Sequence, residues 1–459
     1  MAKLPLLMLF LGSVFLAMVS DSVGHSLRED EDQRSRNQNP YLFRSKSFQT
    51  RYENERGRIR ILPRFDQRSN HLRGLRNYRL VEYELKPHSL FLPHHRDAEV
   101  LLVAVEGKAI TSIVNQTNRE TFKIEEGDVV KVPAGSLVYT ANLEENQRFR
   151  AASLVLPVNI PGNYENWYPA GNQNPQSYYQ AFSRKTLEAT FDENINEIRR
   201  ILFGNRQQGG QGQEQSSNEG VIVRLSREHA RELRRHAESS SSPRRRRRNP
   251  IMNLKNLHAR YSNEYGNLWE ACPEEFHQLR DLDISVGWLE LKRGSLFLPH
   301  YNSRAIVLAQ IIDGMAKVEI QQRQQQQQQE EEEQSQSEGH IQRVSSRLNQ
   351  GDAYVALAGH PLALRASKRN DVRMIAFLLN AENNQRNFLG GERDNVINEI
   401  PRVVKERAFP GSGEEVERLI KNQKKSYFVN AQRRQQRGDE EGDEERAPLS
   451  SILDEDAFF

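Results

Sequence analysis

A six-residue string occurs twice in this chain without change, as Ser89-Leu-Phe-Leu-Pro-His94 and as Ser295-Leu-Phe-Leu-Pro-His300. Each copy is followed by an apolar run ending in a glycine turn, residues 99–107 and 305–314. Each then has a Gly-Asp turn with a strand-like run behind it, residues 126–135 and 350–359. Each block closes on a further apolar run, residues 152–158 and 374–379. Four landmarks in one order mean that the chain is built from two copies of one unit, and a repeat constrains the fold before anything else does. The runs are short, rich in Val, Ile and Leu, and punctuated by Gly, Pro and Asn. That pattern predicts several β-strands per unit in tight turns, and so a sandwich or barrel in each half.

A helical signal follows each strand block. Asp192 can cap a helix carrying Ile195, Ile198, Ile201 and Leu202 on one face. Ser412-Gly-Glu-Glu415 has the capping-box pattern ahead of Val416, Leu419 and Ile420. Phe191 and Phe409 precede the two helices. Each unit is therefore expected to be a mainly β barrel with a C-terminal helical extension.

Between the units lie two polar stretches, residues 204–220, rich in Gln and Gly, and residues 239–249, which join four serines to Arg244–Arg248. A short helix from about Ser226 to Ala237, capped by Ser226, separates them. A third polar segment, 321–338, carries six consecutive Gln and then four Glu, at the place of a hairpin loop in the second unit. Such segments hold too little apolar surface to fold. At the start, Lys3 precedes an apolar stretch from Leu4 to Val19, and small residues follow at Ser20, Ser22 and Gly24. This reads as a secretory signal peptide. At roughly 16 residues the apolar run is short of the ~20 needed to span a membrane. The expected plan is a signal peptide over 1–24, a polar segment over 25–38, and a first barrel with its extension over 39–203. A linker follows over 204–249, then a second barrel with its extension over 250–430 and a tail over 431–459.

Composition narrows the function. With 65 basic against 62 acidic residues the charge is nearly balanced, which argues against a nucleic-acid binder. Arg244–Arg248 reads as a nucleic-acid patch or as a solvated linker open to processing proteases, and a secretory signal favours the linker. The one cysteine, Cys272, excludes an intramolecular disulfide framework and is expected to be a small buried or interface residue. Fifty of the 65 basic residues are Arg, beside 33 Gln and 34 Asn. Solubility alone does not require Arg over Lys. A nitrogen reserve would account for the bias, and so would disorder-prone composition.

Several longer stretches, in register over about residues 39–430, carry a resemblance. They include Arg44-Ser-Lys-Ser-Phe-Gln-Thr50, Tyr301-Asn-Ser-Arg-Ala-Ile306, Asn380-Ala-Glu-Asn-Asn-Gln-Arg-Asn-Phe-Leu389 and Ala408-Phe-Pro-Gly-Ser412. The chain resembles the vicilin-type 7S seed storage globulins. The resemblance implies two cupin jelly-roll barrels, a disc-shaped homotrimer and deposition in protein storage vacuoles as a nutrient reserve. It leaves one alternative, a sugar- or small-ligand-binding bicupin of the vicilin-like kind. Head-to-tail contact between the apolar helix faces of one chain and the other half of the next closes a three-membered ring.

Metal-dependent cupins carry His-x-His with a downstream Glu, then Gly-x5-Pro-x-Gly-x2-His. Alternate strand residues point the same way into the barrel, where three imidazoles and a carboxylate hold Mn or Fe. In the first unit His94 and Glu99 align, but Arg96 stands at the second His position. Gly127, Pro133 and Gly135 are kept there, while Val138 takes the last His position. In the second unit His300 is followed by Asn302, the acidic position is empty of Asp or Glu, and Leu362 replaces the last His. No catalytic residue, cofactor or metal is expected, and the chain is read as a non-enzyme. His300 and His360 are possible neighbours at the barrel mouth for an adventitious copper or zinc ion, against a plainer reading as polar loop histidines. No Gly-x-Ser-x-Gly elbow, phosphate-cradling loop or His-Glu-x-x-His occurs.

Asn115-Gln-Thr117 is a possible glycosylation site in a hairpin loop. The tail is acidic over 438–446 and ends in Pro448-Leu-Ser-Ser-Ile-Leu453 and Ala457-Phe-Phe459. Some 7S globulins carry a similar tail that a vacuolar sorting receptor reads, although Asp454-Glu-Asp456 is a departure. Docking on the trimer and a neutral end are the alternatives. Expected partners are two further copies of the chain and that receptor, with no nucleic acid and no membrane span once the signal is removed.

Overall fold

The structure is a computed structural model describing residues 39–116, 119–204, 220–240, 251–323 and 341–431. The stretch read as a signal peptide, most of the three polar stretches and the acidic tail lie outside these residues. Among the described residues no helix is long and apolar enough to cross a membrane.

Among the described residues strand β1 (Leu42–Phe43) comes first, and the first half then runs β2 (Gln49–Asn54), β3 (Gly57–Ile61), β4 (Arg79–Leu85), β5 (Ser89–Arg96) and β6 (Ala98–Glu106). It continues through β7 (Lys108–Val114), β8 (Arg119–Glu125), β9 (Asp128–Val132), β10 (Leu137–Asn142), β11 (Phe149–Pro157), β12 (Asn166–Trp167) and β13 (Ile222–Arg224). The second half repeats the plan with β14 (Ile251–Asn253), β15 (Tyr261–Asn263), β16 (Gly266–Ala271), β17 (Ile284–Leu291), β18 (Ser295–Asn302) and β19 (Ile306–Asp313). It closes with β20 (Ala316–Arg323), β21 (Ile341–Leu348), β22 (Ala353–Ala356), β23 (Leu362–Ala366), β24 (Val372–Leu379), β25 (Arg386–Phe388) and β26 (Phe428–Asn430).

Each half is a two-sheet jelly roll. In the first, a seven-stranded sheet of order β14-β9-β6-β11-β4-β3-β2 faces a sheet of order β12-β5-β10-β7-β8, with β13 paired to β5. In the second, β1-β22-β19-β24-β17-β16-β15 faces β21-β20-β23-β18-β25, with β26 paired to β18. The two seven-stranded sheets lie between the barrels, which explains their unbroken apolar runs. On β6, Val100 and Ala104 join the first barrel's core, while Leu101 and Val103 join a cluster that reaches Trp288 and Phe377 of the second half. A sheet buried on both faces has no polar alternation to show. The glycine turns after these runs, Gly107 and Gly314, have φ of +78° and +84°, and a Cβ there would collide with the carbonyl of Arg148 or Asp371.

Two short strands are exchanged between the halves. β1 pairs with β22 of the second barrel, and β14 pairs with β9 of the first. Each half thus completes the inner sheet of the other.

The helical extensions hold two helices each, where the sequence pattern indicated one. α1 (Arg184–Phe191) and α2 (Ile195–Phe203) follow the first barrel. α3 (Arg227–Ser240) lies after β13, and α4 (Arg402–Ala408) and α5 (Gly413–Lys421) follow the second barrel. The assignment of Asp192 as a cap needs correcting. Asp192 ends α1 in a left-handed conformation, φ 51°, and Asn194 caps α2 by accepting from the Asn196 and Glu197 amides. Both residues suit caps, and the sharp turn between the helices consumes the first. Ser412 and Glu415 form the expected capping box, and Ser226 Oγ accepts from the His229 amide at 3.1 Å. The apolar helix face also divides. Ile195 and Ile198 are buried on Leu187 within the extension and Val416 is buried as well, whereas Ile201 and Leu419 are 61% and 70% exposed.

Candidate functional site

The repeated His stands at one depth in each barrel, on β5 and on β18. Across the strand ladder His94 faces Val138 and His300 faces Leu362. The sequence alignment therefore put the right pair of positions together, and in each pair an aliphatic side chain holds the second place.

In the first barrel His94 is 1% exposed, and its Nδ1 lies 2.8 Å from the Leu92 carbonyl. A carbonyl only accepts, so Nδ1 carries the proton and Nε2 offers a lone pair. That lone pair takes a hydrogen bond from the Arg96 guanidinium. Burial, and then the Arg96 charge, hold the imidazole well below its ordinary pKa, so it is neutral. Arg96 also donates to Tyr83 Oη at 2.9 Å and lies over the Tyr164 ring at 5.8 Å. Glu99 is turned to the following loop, where Oε1 accepts from the Ala134 amide at 3.3 Å. A fixed cation thus occupies the nitrogen that a metal would need. The metal that cupin barrels imply does not fit here.

The second barrel reaches a similar arrangement by another route. His300 Nδ1 donates to the Leu298 carbonyl at 2.8 Å, and burial, then the charge of Arg386, lower its pKa to about 3. Asn302, at the second His position, accepts from Asn384 Nδ2 at 3.0 Å. Arg386 arrives from β25 and is held by Glu270 of β16 at 2.9 Å, each side chain 8% exposed. A buried pair of this kind is costly unless both ions stay together. Sequence reasoning missed both residues, because neither belongs to a cupin motif and β16 and β25 are far apart in the chain. The group lines a cavity of about 30 Å³ whose polar end is His300, Asn302, Tyr354, Glu270 and Arg386.

The remaining sites fall as follows. Among the described residues no three His, Cys, Asp or Glu side chains are grouped as a metal ion would require. His300 and His360 have different ring neighbours. His300 stacks on Phe297 and Phe388 inside the barrel, while His360 lies against the Tyr41 ring at 6.3 Å. Cys272 is half-buried, and burial, then the neighbouring Glu270, push its thiol up to about 12. Such a thiol is not a nucleophile at neutral pH. Asn115 is exposed at the end of β7 in the turn to β8; Thr117 lies outside the described residues. The extensions expose Phe182, Ile201, Val403 and Leu419.

Comparison with known proteins agrees with this architecture. The family profile described as Cupin matches residues 46–198 and 252–417. Vicilin from Pisum sativum is 45% identical over 468 residues, covering 98% of each chain. The structure of vicilin from Capsicum annuum superposes with a TM-score of 0.77 at 32% identity, over 85% of this chain and 100% of that one. Vicilin from Solanum melongena superposes with a TM-score of 0.75 at 32% identity, over 85% of this chain and 98% of that one. Its crystal structure revealed different anionic ligands in structurally similar pockets.

Proposed function

This chain belongs to the cupin family and, within it, to the vicilin-type 7S seed globulins, and from that membership we propose that it is a nutrient reserve: a non-catalytic chain laid down as a homotrimer in the protein storage vacuole and hydrolysed on germination. The observation that carries the reading is end-to-end similarity to pea vicilin, 45% over 98% of both chains. It comes with ligand positions held by Arg96, Val138, Asn302 and Leu362. Without ligands the barrels act as compact protease-resistant bodies, and the 50 Arg with 67 Gln and Asn (33 and 34) store nitrogen. The exposed apolar residues of both extensions supply the trimer contact. The last twelve residues are the vacuolar address, and Asn115 is the acceptor for an N-linked glycan. Quantifying the chain in maturing seed against leaf and root tests the proposal. The reserve reading requires seed-specific accumulation to a major share of total protein; comparable low levels in all three tissues would reject it.

One observation favours a second, additional reading. The cavity of the second barrel is polar at one end, and the Solanum melongena vicilin holds anions in its pockets. At about 30 Å³ the cavity has room for roughly two waters, so an ion or a solute of a few atoms fits and a disaccharide does not. Because Glu270 already neutralises Arg386, acetate is expected to bind no tighter than millimolar in a calorimetric titration. Saturable sucrose binding at micromolar concentration would reverse this preference.

A further inference from the structure

The two barrels differ at two equivalent interior positions. In the first, the Arg96 guanidinium takes the Nε2 lone pair of His94, and Val130, two residues after Asp128, is part of the barrel core. In the second, Asn302 stands in place of Arg96, and Tyr354, two residues after Asp352, stands in place of Val130. Asn302 is turned to Asn384, 3.0 Å away. The exchange frees an acceptor and adds a donor. His300 Nδ1 donates to the Leu298 carbonyl, so Nε2 carries the lone pair. A pKa of about 3, set by burial and then by the Arg386 charge, keeps that ring neutral. Burial pushes the Tyr354 phenol up, so it keeps its proton. Both side chains are 2% exposed and line the same cavity of about 30 Å³. Among the described residues neither His300 Nε2 nor Tyr354 Oη has a hydrogen-bond partner. Buried polar atoms in that state are unfavourable, and a guest that answers both is held by both.

The rest of the lining decides what kind of guest that is. Arg386 is already neutralised by Glu270, 2.9 Å away, which leaves no free positive charge for an anion. A carboxylate that accepted from Tyr354 would also lie near the His300 lone pair and the Glu270 carboxylate, and both repel it. An ammonium would meet Arg386. Leu268, Leu289, Met374 and Leu378 make the remaining wall apolar. A hydroxyl suits both polar atoms at once, since its oxygen accepts from Tyr354 while its proton goes to His300. An alkyl group on that oxygen suits the apolar wall better than a second water does. The volume limits the guest to a few heavy atoms. We propose that the second barrel binds a short uncharged alcohol, its hydroxyl between Tyr354 Oη and His300 Nε2 and its alkyl group on the apolar wall. This rests on the reading that the cavity takes a solute of a few atoms, and it names the chemical class. The first barrel, with Arg96 and Val130 in the two places, does not offer this pair of groups.

The test is an NMR titration of the full chain, labelled with ¹⁵N histidine, and methanol is the probe. For a guest of two heavy atoms the ceiling on binding per atom puts the dissociation constant at about 10 mM. The His300 Nε2 resonance, identified by its loss in His300→Asn, should move along one saturating curve as the lone pair accepts the hydroxyl proton. The His94 resonance should stay still. Tyr354→Phe, which removes only the donor, should weaken binding by roughly ten-fold or more. Ala376→Val, which adds volume to the cavity wall, should abolish it. Acetate at pH 7 should bind more weakly than methanol by roughly ten-fold or more. Acetate binding more tightly than methanol would overturn the proposal and leave the small-solute reading standing. A His300 resonance unmoved by either probe up to about 0.2 M would overturn both, with water as the only occupant. Methanol binding that Tyr354→Phe leaves unchanged would put the guest elsewhere and also overturn the proposal.

Discussion

The substitution of Arg96 for a metal-binding histidine has two consequences at the scale of single residues. The first concerns metal. His94 and the position facing it remain opposite each other on the ladder, while Glu99 is turned to the following loop, so the paired positions survive without the full ligand set. The unmodified protein should carry well under one tenth of a transition-metal ion per chain by elemental analysis. Arg96→His combined with Val138→His should bind Zn²⁺ or Mn²⁺ near one per chain, because it removes the competing cation and restores an imidazole across the ladder. A stoichiometric metal in the unmodified protein would show that the Arg96–His94 contact does not exclude it. The second consequence concerns acid. His300 has a folded pKa of about 3 against an ordinary 6.5, so it contributes full stability above pH 6.5 and loses it progressively as pH falls toward 3. At about 1.4 kcal/mol per pH unit, roughly 2 kcal/mol is gone at pH 5. His94 is lowered in the same direction. Urea midpoints should therefore fall between pH 7 and 5, and His300→Asn should flatten the slope; an unchanged slope in that variant would reassign the acid sensitivity elsewhere. The motif residues were legible because a repeated hexapeptide marks them. Glu270 and Arg386 were not, since their pairing exists only once β16 and β25 fold against β18.

At the scale of elements, the strands and their order were legible because apolar runs and glycine turns recur in both halves. What the sequence pattern did not disclose was the use of the shortest strands. β1 and β14 have two and three residues, too few for periodicity to register. Their exchange, with the shared core, is expected to hold the halves together without the connection between them. Cleavage within residues 241–249 should leave the halves together on a native gel and lower the urea midpoint little. Separation of the halves after a single cut there would mean that the exchanged strands and the shared core are insufficient. The helical extensions were half legible. The capping box at Ser412 announced α5, but Asp192 misled because a residue suited to starting a helix also serves to end one. Ser412→Ala should destabilise the C-terminal extension by about 1 kcal/mol, seen as faster amide exchange in α5 than in α2.

The whole molecule presents two helical extensions that stay partly apolar after their own packing is complete. Ile201 and Leu419 are the exposed members of faces whose other apolar residues are buried (Ile195, Ile198, Val416) or half-buried (Leu202, Ile420). They are therefore better probes of assembly than Ile195 or Val416, whose replacement would unfold the extension itself. Ile201→Lys with Leu419→Lys should shift sedimentation from trimer toward monomer at micromolar concentration without changing the circular dichroism spectrum. A trimer that survives both changes would move the contact to another surface. The function follows from the same arrangement. Among the described residues of barrels that bury Arg96 and Arg386, no three His, Cys, Asp or Glu side chains are grouped as a metal ion would require, and on the proposed reading an arginine-rich chain with one cysteine is a compact store of nitrogen that proteases can later take apart. The most direct test is to measure the amount of this chain in the seed through imbibition and germination by isotope-dilution mass spectrometry. The account predicts a high level in the dry seed that falls by at least ten-fold before the seedling feeds itself, with early fragments ending in the polar segments. A level that stays constant while other seed proteins are consumed would contradict it.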